Sequence, residues 1–383
     1  MSTDTSQSHQ PADEADTAVH RGLDGVIEDT TEISQINPAT NSLIYRGYPA
    51  EQLAASRTFE EVAHLIWTGE LPTPEQLSEL TGHERENREL SRPLRDLVRA
   101  LPDTCHPMDV LRTAVSVVGA EDPTEEDPSP ERNRDRSIVL LAKLPTVVAL
   151  DHRRRQGLDA ISPDPSLSLA QNFFRMYFGQ VPADEVVRAF EVSLIMYAEH
   201  GFNASTFAAR VVTSTLSDLY SAVAAAIGAL KGPLHGGANE AVVRTLREIG
   251  PAGNVAGWLD RALADKVKVM GFGHRVYKSG DSRVPTLAQL DRLTADGTAA
   301  ERVGAYRALK SAMLERTHLH PNVDYPTGLV YDVMGFDLAS FTPIFAMARV
   351  VGWTAHIAEQ RAANAIIRPL SRYTGPTQRS VPA

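Results

Sequence analysis

Apolar residues recur along most of this chain at three- and four-residue intervals. Phe59, Val62, Ala63, Ile66 and Trp67 share one helical face that Gly69 closes, and Val187, Phe190, Leu194 and Tyr197 form a stripe within 184–200. Similar spacing predicts helices over 74–82, 87–101, 106–118, 137–151, 239–250, 255–267, 286–296, 299–316, 327–334 and 341–363. The stretch 204–230 is almost continuously small and apolar, which suits close helix–helix contact in a core or a subunit interface. Only 21–48 alternates loosely, as short strands or a small hairpin would. The proline-broken stretches 120–136 and 160–169 read as exposed connections. An all-α fold with a short N-terminal β element follows. No fixed-period repeat is visible, so a solenoid is disfavoured.

Composition narrows the partners. A chain of 383 residues can bury a large core and make two domains. Its net charge of −10 argues against nucleic acid or an anionic membrane as the main partner, and it has no apolar run of eighteen residues. The single cysteine, Cys105, excludes an internal disulfide and a cysteine-based zinc site and fits a reducing cytoplasm. It is expected to be structural, since His106 beside it in sequence is not a triad. Residues 1–20 are polar and acidic and predict a disordered leader, without the character of a transit or signal peptide.

Chemistry concentrates in a few stretches. Residues 269–283, VMGFGHRVYKSGDSR, set His274 between the pair Gly271 and Gly273 and the cations Arg275, Lys278 and Arg283. Glycines admit close backbone approach, an imidazole exchanges protons near neutral pH, and arginines hold carboxylates bidentately. The plain alternative is a turn with an ordinary loop histidine. The stretch lacks the third glycine of a dinucleotide fingerprint, and no P-loop occurs in the chain. In KGPLHGGANE, His235 stands at the predicted start of a helix, where free N–H groups and the helix dipole favour a neutral ring; a capping or core histidine is the alternative. Asp324 in PNVDYPTG is either a partly desolvated base or a helix N-cap. His200 ends an apolar helix, able to meet a ligand carboxylate or to cap. Arg349 lies inside the apolar run FAMARVVGW with no acid within four residues, so its partner is distant in sequence or is a ligand. Arg368 follows near the end. A metal-dependent hydrolase using His318, His320 and Asp324 is a weaker reading, and a non-catalytic scaffold is disfavoured by the intact His235, His274 and Asp324.

Taken jointly, GPLHGGANE, GFGHRVYK with Arg283, PNVDYPTG, the FAMAR helix and the closing IRP resemble the citrate synthase family, in order from about Gly22 to the C-terminus. Within it, NSLIYRGYP, AEHGFNASTFAARV and RPLSRYTGP are most similar to the 2-methylcitrate synthase branch. The resemblance implies a two-domain helical fold: a large domain over 21–231, a small one over 232–332 that closes on substrate, and a return through 333–383. It implies Asp324 as general base on an acyl-CoA, neutral His235 as donor to the thioester oxygen, and His274 as the acid that polarises the keto group of oxaloacetate. Arg283, Arg349 and His200 are then expected to hold the oxaloacetate carboxylates. Arg368 is expected to act in the neighbouring subunit's site of a homodimer. Val269, Met270, Gly271, Phe272 and Gly273 are expected to approach CoA. The implied substrates are propionyl-CoA or acetyl-CoA with oxaloacetate, with no metal and no further cofactor. One departure is Ser282, where many members carry proline.

Overall fold

The computed structural model describes residues 19–37, 39–274, 277, 280–288 and 299–382. The leader expected over 1–20 lies outside the described residues up to position 18, as do Arg275, Lys278 and most of the helix expected over 286–296. The chain forms two compact units. One joins the two chain ends, up to Thr30 and from Arg368 onward, and holds a single 3-10 turn, Arg21–Leu23, among its described residues. The other, Thr31–Ile367, contains the remaining elements.

This main unit opens with a small antiparallel sheet of β1 (Ser34–Asn37), β2 (Ser42–Tyr45) and β3 (Tyr48–Pro49), with Ser34 opposite Tyr45 and Tyr45 opposite Tyr48. Helices follow: α1 (Ala50–Ser56), α2 (Phe59–Thr68), α3 (Pro74–Glu86), α4 (Arg92–Ala100), α5 (Pro107–Ala120), α6 (Pro130–Arg155), α7 (Leu169–Phe178) and α8 (Asp184–Ala198). Then come α9 (Ala204–Ser214), α10 (Leu219–Leu230), α11 (Ala238–Ile249), α12 (Val255–Ala264), α13 (Val284–Ala288), α14 (Ala299–Thr317), α15 (Asp324–Val333) and α16 (Phe341–Ala362). The expected all-α fold with a short β element is what forms.

Local signals explain where the elements differ from the periodic pattern. The charged stretch 120–136 is only partly a loop, because α6 starts within it at Pro130. Ser129 caps it, accepting from Arg132 N at 3.4 Å, and proline at the first helical position needs no N–H partner. Arg136, expected at the surface, is 3% exposed and donates to Asp122 Oδ2 at 2.9 Å. The apolar stretch 204–230 is two helices, since Leu216 takes φ +66° and Asp218 accepts from Ser221 N at 2.7 Å to begin α10. The short helices α1 and α7 were not apparent from spacing; α7 is set by a capping box of Ser168 and Gln171.

Helix α16 runs through the main core against α2, α6, α8, α9 and α10. It belongs to an apolar segment, Leu338–Ala362, long enough to cross a membrane, but 89% of its most apolar window is buried in protein. A second hydrophobic cluster gathers Val242 and Leu246 of α11, Trp258 and Leu259 of α12, Tyr306 and Leu309 of α14, and Tyr325 and Leu329 of α15. Helices α11 and α15 serve both cores: Val243, Val330 and Tyr331 face the first. Polar side chains at the N-terminal ends of these two helices therefore lie where the two cores meet.

Candidate active site

Asp324 opens α15 but does not cap it. Its carboxylate accepts from Tyr197 Oη at 2.8 Å, its own N–H donates to Asn322 Oδ1 at 3.1 Å, and it is 8% exposed. Burial pushes its pKa up to about 6, although the Tyr197 hydroxyl and Arg283 favour the charged form. A carboxyl that is ionised at neutral pH yet poorly solvated is suited to taking a proton. Of the two fates open in the sequence, the structure selects the desolvated one.

His235 stands three residues before α11, and the helix that acts on it is a different one. The first-turn N–H of Ser205 in α9 donates to His235 Nε2 (3.3 Å), and Ser205 Oγ lies 2.8 Å from the same nitrogen while accepting Trp353 Nε1–H at 3.0 Å. Asn203 Oδ1, the cap of α9, is 3.1 Å away. The Ser205 N–H can only donate, which favours the tautomer with the ring proton on Nδ1, while Asn203 Oδ1 beside the same nitrogen can only accept and works the other way. Burial, then Arg349, lowers the pKa to about 4, so the ring stays neutral, and in the Nδ1 tautomer its N–H is a donor.

His274 accepts at Nδ1 from the N–H of Tyr277 at 3.2 Å, which places its proton on Nε2. Its ring meets that of His200 edge-on, with centroids 5.1 Å apart. His200 is 7% exposed and its Nε2 is buried without a hydrogen-bond partner among the described residues. Burial and then Arg283, His274 and Arg349 hold its pKa well below the usual histidine value. A buried polar nitrogen without a partner among cations is costly until an anion arrives.

Arg283 is 4% exposed and forms a two-pronged pair with Asp281, Nε to Oδ1 at 2.9 Å and Nη2 to Oδ2 at 2.7 Å; Asp281 Oδ2 also accepts Val323 N–H at 3.0 Å. Against burial, Asp281 raises the arginine's pKa. Ser282 Oγ lies 2.8 Å from Tyr277 Oη, so a hydroxyl contact ties this turn together. Arg349, 1% exposed, donates from Nε to Tyr197 O at 2.6 Å; burial lowers its pKa to about 10 while Glu199 acts to raise it. The field of Arg349 reaches His235, His200 and Asp324, which ties the residues into one cluster. Arg368 belongs to the terminal unit and is exposed. Among the residues expected to approach CoA, the structure gives Gly271 a packing reason: at φ +86° a Cβ would fall 2.5 Å from Val242 and 2.9 Å from Tyr325. Phe272 bridges to Pro321, and the N–H of Gly273 donates to His320 O at 2.8 Å. His318 is exposed while Asp324 is buried on Tyr197, an arrangement unlike a metal-ligand set.

Set beside known proteins, residues 22–370 match the family model described as citrate synthase, C-terminal domain. The chain belongs to the citrate synthase family. It is 56% identical to a 2-methylcitrate synthase of Mycobacterium tuberculosis over 95% of this chain and 92% of that protein. It is also 56% identical to a citrate synthase of Mycolicibacterium smegmatis, covering 95% and 97% of the two chains. Among solved structures, the ternary complex of carboxymethyl coenzyme A and oxaloacetate with citrate synthase from Thermoplasma acidophilum superposes with a TM-score of 0.90 at 31% identity, over 95% of this chain and 98% of that one.

For this citrate synthase-family chain, sequence reasoning missed the groups that tune the named residues. Tyr197 had been placed on an apolar stripe, and nothing local showed that its hydroxyl reaches Asp324. Asp281 stood in plain view two positions before Arg283, the one signal that could have found the pair. Asn203 and Ser205 follow His200 closely, but only the fold brings them to His235.

Proposed function

We propose that this chain is a 2-methylcitrate synthase, condensing propionyl-CoA with oxaloacetate and water to give 2-methylcitrate and CoA, with citrate synthase activity on acetyl-CoA. The observation that carries the chemistry is Asp324: a buried carboxylate with a pKa near 6, bonded to Tyr197, in one cluster with two imidazoles that each accept a backbone N–H at one ring nitrogen. In this reading Asp324 removes the α-proton of the acyl-CoA. His235 Nδ1–H donates to the thioester oxygen as the enolate forms, a preorganised contact to developing charge. His274 Nε2–H polarises the oxaloacetate ketone and delivers its proton to the new alkoxide, while Arg283, Arg349 and His200 hold the carboxylates. Hydrolysis of the resulting thioester releases CoA and makes the condensation effectively irreversible.

The chemistry calls for no cofactor beyond the acyl-CoA itself. The second hydrophobic cluster supports a small domain over 232–332 closing on substrate, with 269–273 beside CoA. The outward face of α10 presents Ser221, Ala224, Ala225 and Gly228, small residues that fit close apposition with a second copy. Arg368 would then reach the neighbouring subunit's site. A single cysteine and acidic charge suit a cytoplasmic enzyme.

Release of free CoA thiol tests the assignment. Propionyl-CoA is expected to give a kcat/KM at least comparable to acetyl-CoA; one methylene is worth about 1–3 kcal/mol of discrimination, so both thioesters should turn over. A strong preference for acetyl-CoA would make this a housekeeping citrate synthase.

A further inference from the structure

Directly behind the proposed keto-acid site lies a buried ion pair that the mechanism does not use. Glu199 follows α8 and precedes His200, and it is completely buried, as is His356 of α16. Glu199 Oε1 accepts from His356 Nε2 at 2.9 Å, from Ser34 Oγ at 2.9 Å and from the N–H of Gly201. Its other oxygen, Oε2, is buried without a hydrogen-bond partner among the described residues. That oxygen rests against Gly352, where a Cβ would fall 2.2 Å from it. Arg349, Gly352 and His356 are spaced three and four apart, so they line one face of α16 against residues 197–201. Glu199 thus has His356 on one side and, about two turns back along α16, Arg349 on the other.

The groups facing His356 are few. Glu199 comes from the α8–α9 connection, Glu359 Oε2 on α16 itself lies 3.4 Å from Nδ1, and Arg210 of α9 binds that same Glu359 oxygen at 2.9 Å. Phe202 packs edge-on to the ring. Although burial works against the imidazolium, Glu199 and Glu359 raise the pKa of His356; the Glu199 carboxyl is held low against burial by His356 and Arg349. The Coulomb reach of Glu199 thus includes Arg349, whose pKa it raises.

We propose that His356, as an imidazolium, is the countercharge that keeps Glu199 from recruiting Arg349, leaving the Arg349 guanidinium available to an anionic keto acid beside the Asp281-paired Arg283. His356 and Glu199 are positioning residues and touch no substrate. The inference rests on the reading of Arg283, Arg349 and His200 as carboxylate holders. Without the imidazolium, the open oxygen of Glu199 takes Arg349 as its partner, and an anionic substrate must compete with a fixed carboxylate for the same guanidinium.

A double-mutant cycle on the full-length enzyme tests this, with thiol release followed at varied oxaloacetate and saturating propionyl-CoA. His356→Gln retains a hydrogen bond to Glu199 but loses the charge; it is expected to raise the KM for oxaloacetate about tenfold, with the KM for propionyl-CoA within about twofold of the parent. Glu199→Gln in the same chain removes the competing carboxylate and is expected to bring the oxaloacetate KM back to within about threefold of the parent. A double variant as impaired as His356→Gln, or worse, overturns the proposal, because an anchor that is only structural cannot be repaired by removing its second half. Should His356→Gln fail to fold, Glu199→Gln alone decides: an oxaloacetate KM within about threefold of the parent supports the countercharge role and a tenfold rise overturns it. Arg349→Lys is the control for the underlying site. If it leaves the oxaloacetate KM unchanged, the carboxylate-holder reading fails; if it raises that KM while His356→Gln does not, only the countercharge role fails.

Discussion

Two sides of the site are built on opposite principles. Around Asp324 and His235 the polar groups already have protein partners: Tyr197 Oη on the carboxylate, Ser205 N–H on the imidazole, Asn239 Nδ2 on the Tyr197 hydroxyl at 3.4 Å. Beside Arg283 and Arg349, the buried His200 Nε2 stands without one among the described residues. A satisfied network holds its geometry before substrate arrives and can be tuned for proton transfer. A buried nitrogen left open between two arginines carries a cost that a hydrogen-bonding anion would remove. In the proposed reading the first side serves chemistry and the second binding.

The comparison breaks most severely at the base. Asp324→Asn is expected to lower kcat by about a thousandfold or more, with oxaloacetate affinity little changed in calorimetry. The same variant should melt higher above pH 6. A folded-state pKa raised from 3.8 to about 6 means the ionised carboxylate costs stability, a cost that grows between those pH values and is constant above them. Substantial residual turnover would remove Asp324 from its role.

On the binding side, His200→Ala is expected to raise the KM for oxaloacetate about thirtyfold with a smaller change in kcat, read from initial rates. A loss confined to kcat would place His200 with the chemistry instead. Tyr197→Phe is expected to cost about tenfold in kcat and to sharpen the comparison through pH. In the parent, kcat/KM should fall below about pH 6 as Asp324 takes up a proton. Removing the hydroxyl removes a contact that favours the ionised form, so the acid limb should move upward by about one unit. A limb that moves down or stays in place contradicts the assigned donor. The smallest effect on turnover is expected at Gly271→Ala, whose Cβ meets Val242 and Tyr325; thermal melting should report a loss of about 3 kcal/mol.

Much of this site was legible as residue type. His235, His274, Asp324, His200, Arg283 and Arg349 all stood out as polar groups in glycine-rich or apolar settings, and the described structure gathers them around shared neighbours. What was not legible was the local agent acting on each. His235 was expected to feel the helix it precedes, yet α9 supplies the N–H. Asp324 had a cap as its commoner fate, and only the approach of α8 gives it Tyr197. The loop over 120–136 hid the start of α6 because a run of charges masks capping and proline signals that act over one turn.

By itself, the sequence determined the helical class, the order of the elements and the inventory of acids, bases and cations, because periodicity, capping and side-chain chemistry are properties of neighbours along the chain. The tertiary structure decided protonation and partnership: a carboxylate lifted towards neutrality, an imidazole kept uncharged, an arginine buried against a backbone carbonyl. Those depend on desolvation and on charges brought within a few ångströms by residues as distant in sequence as Glu199 and His356. No spacing rule reaches that far.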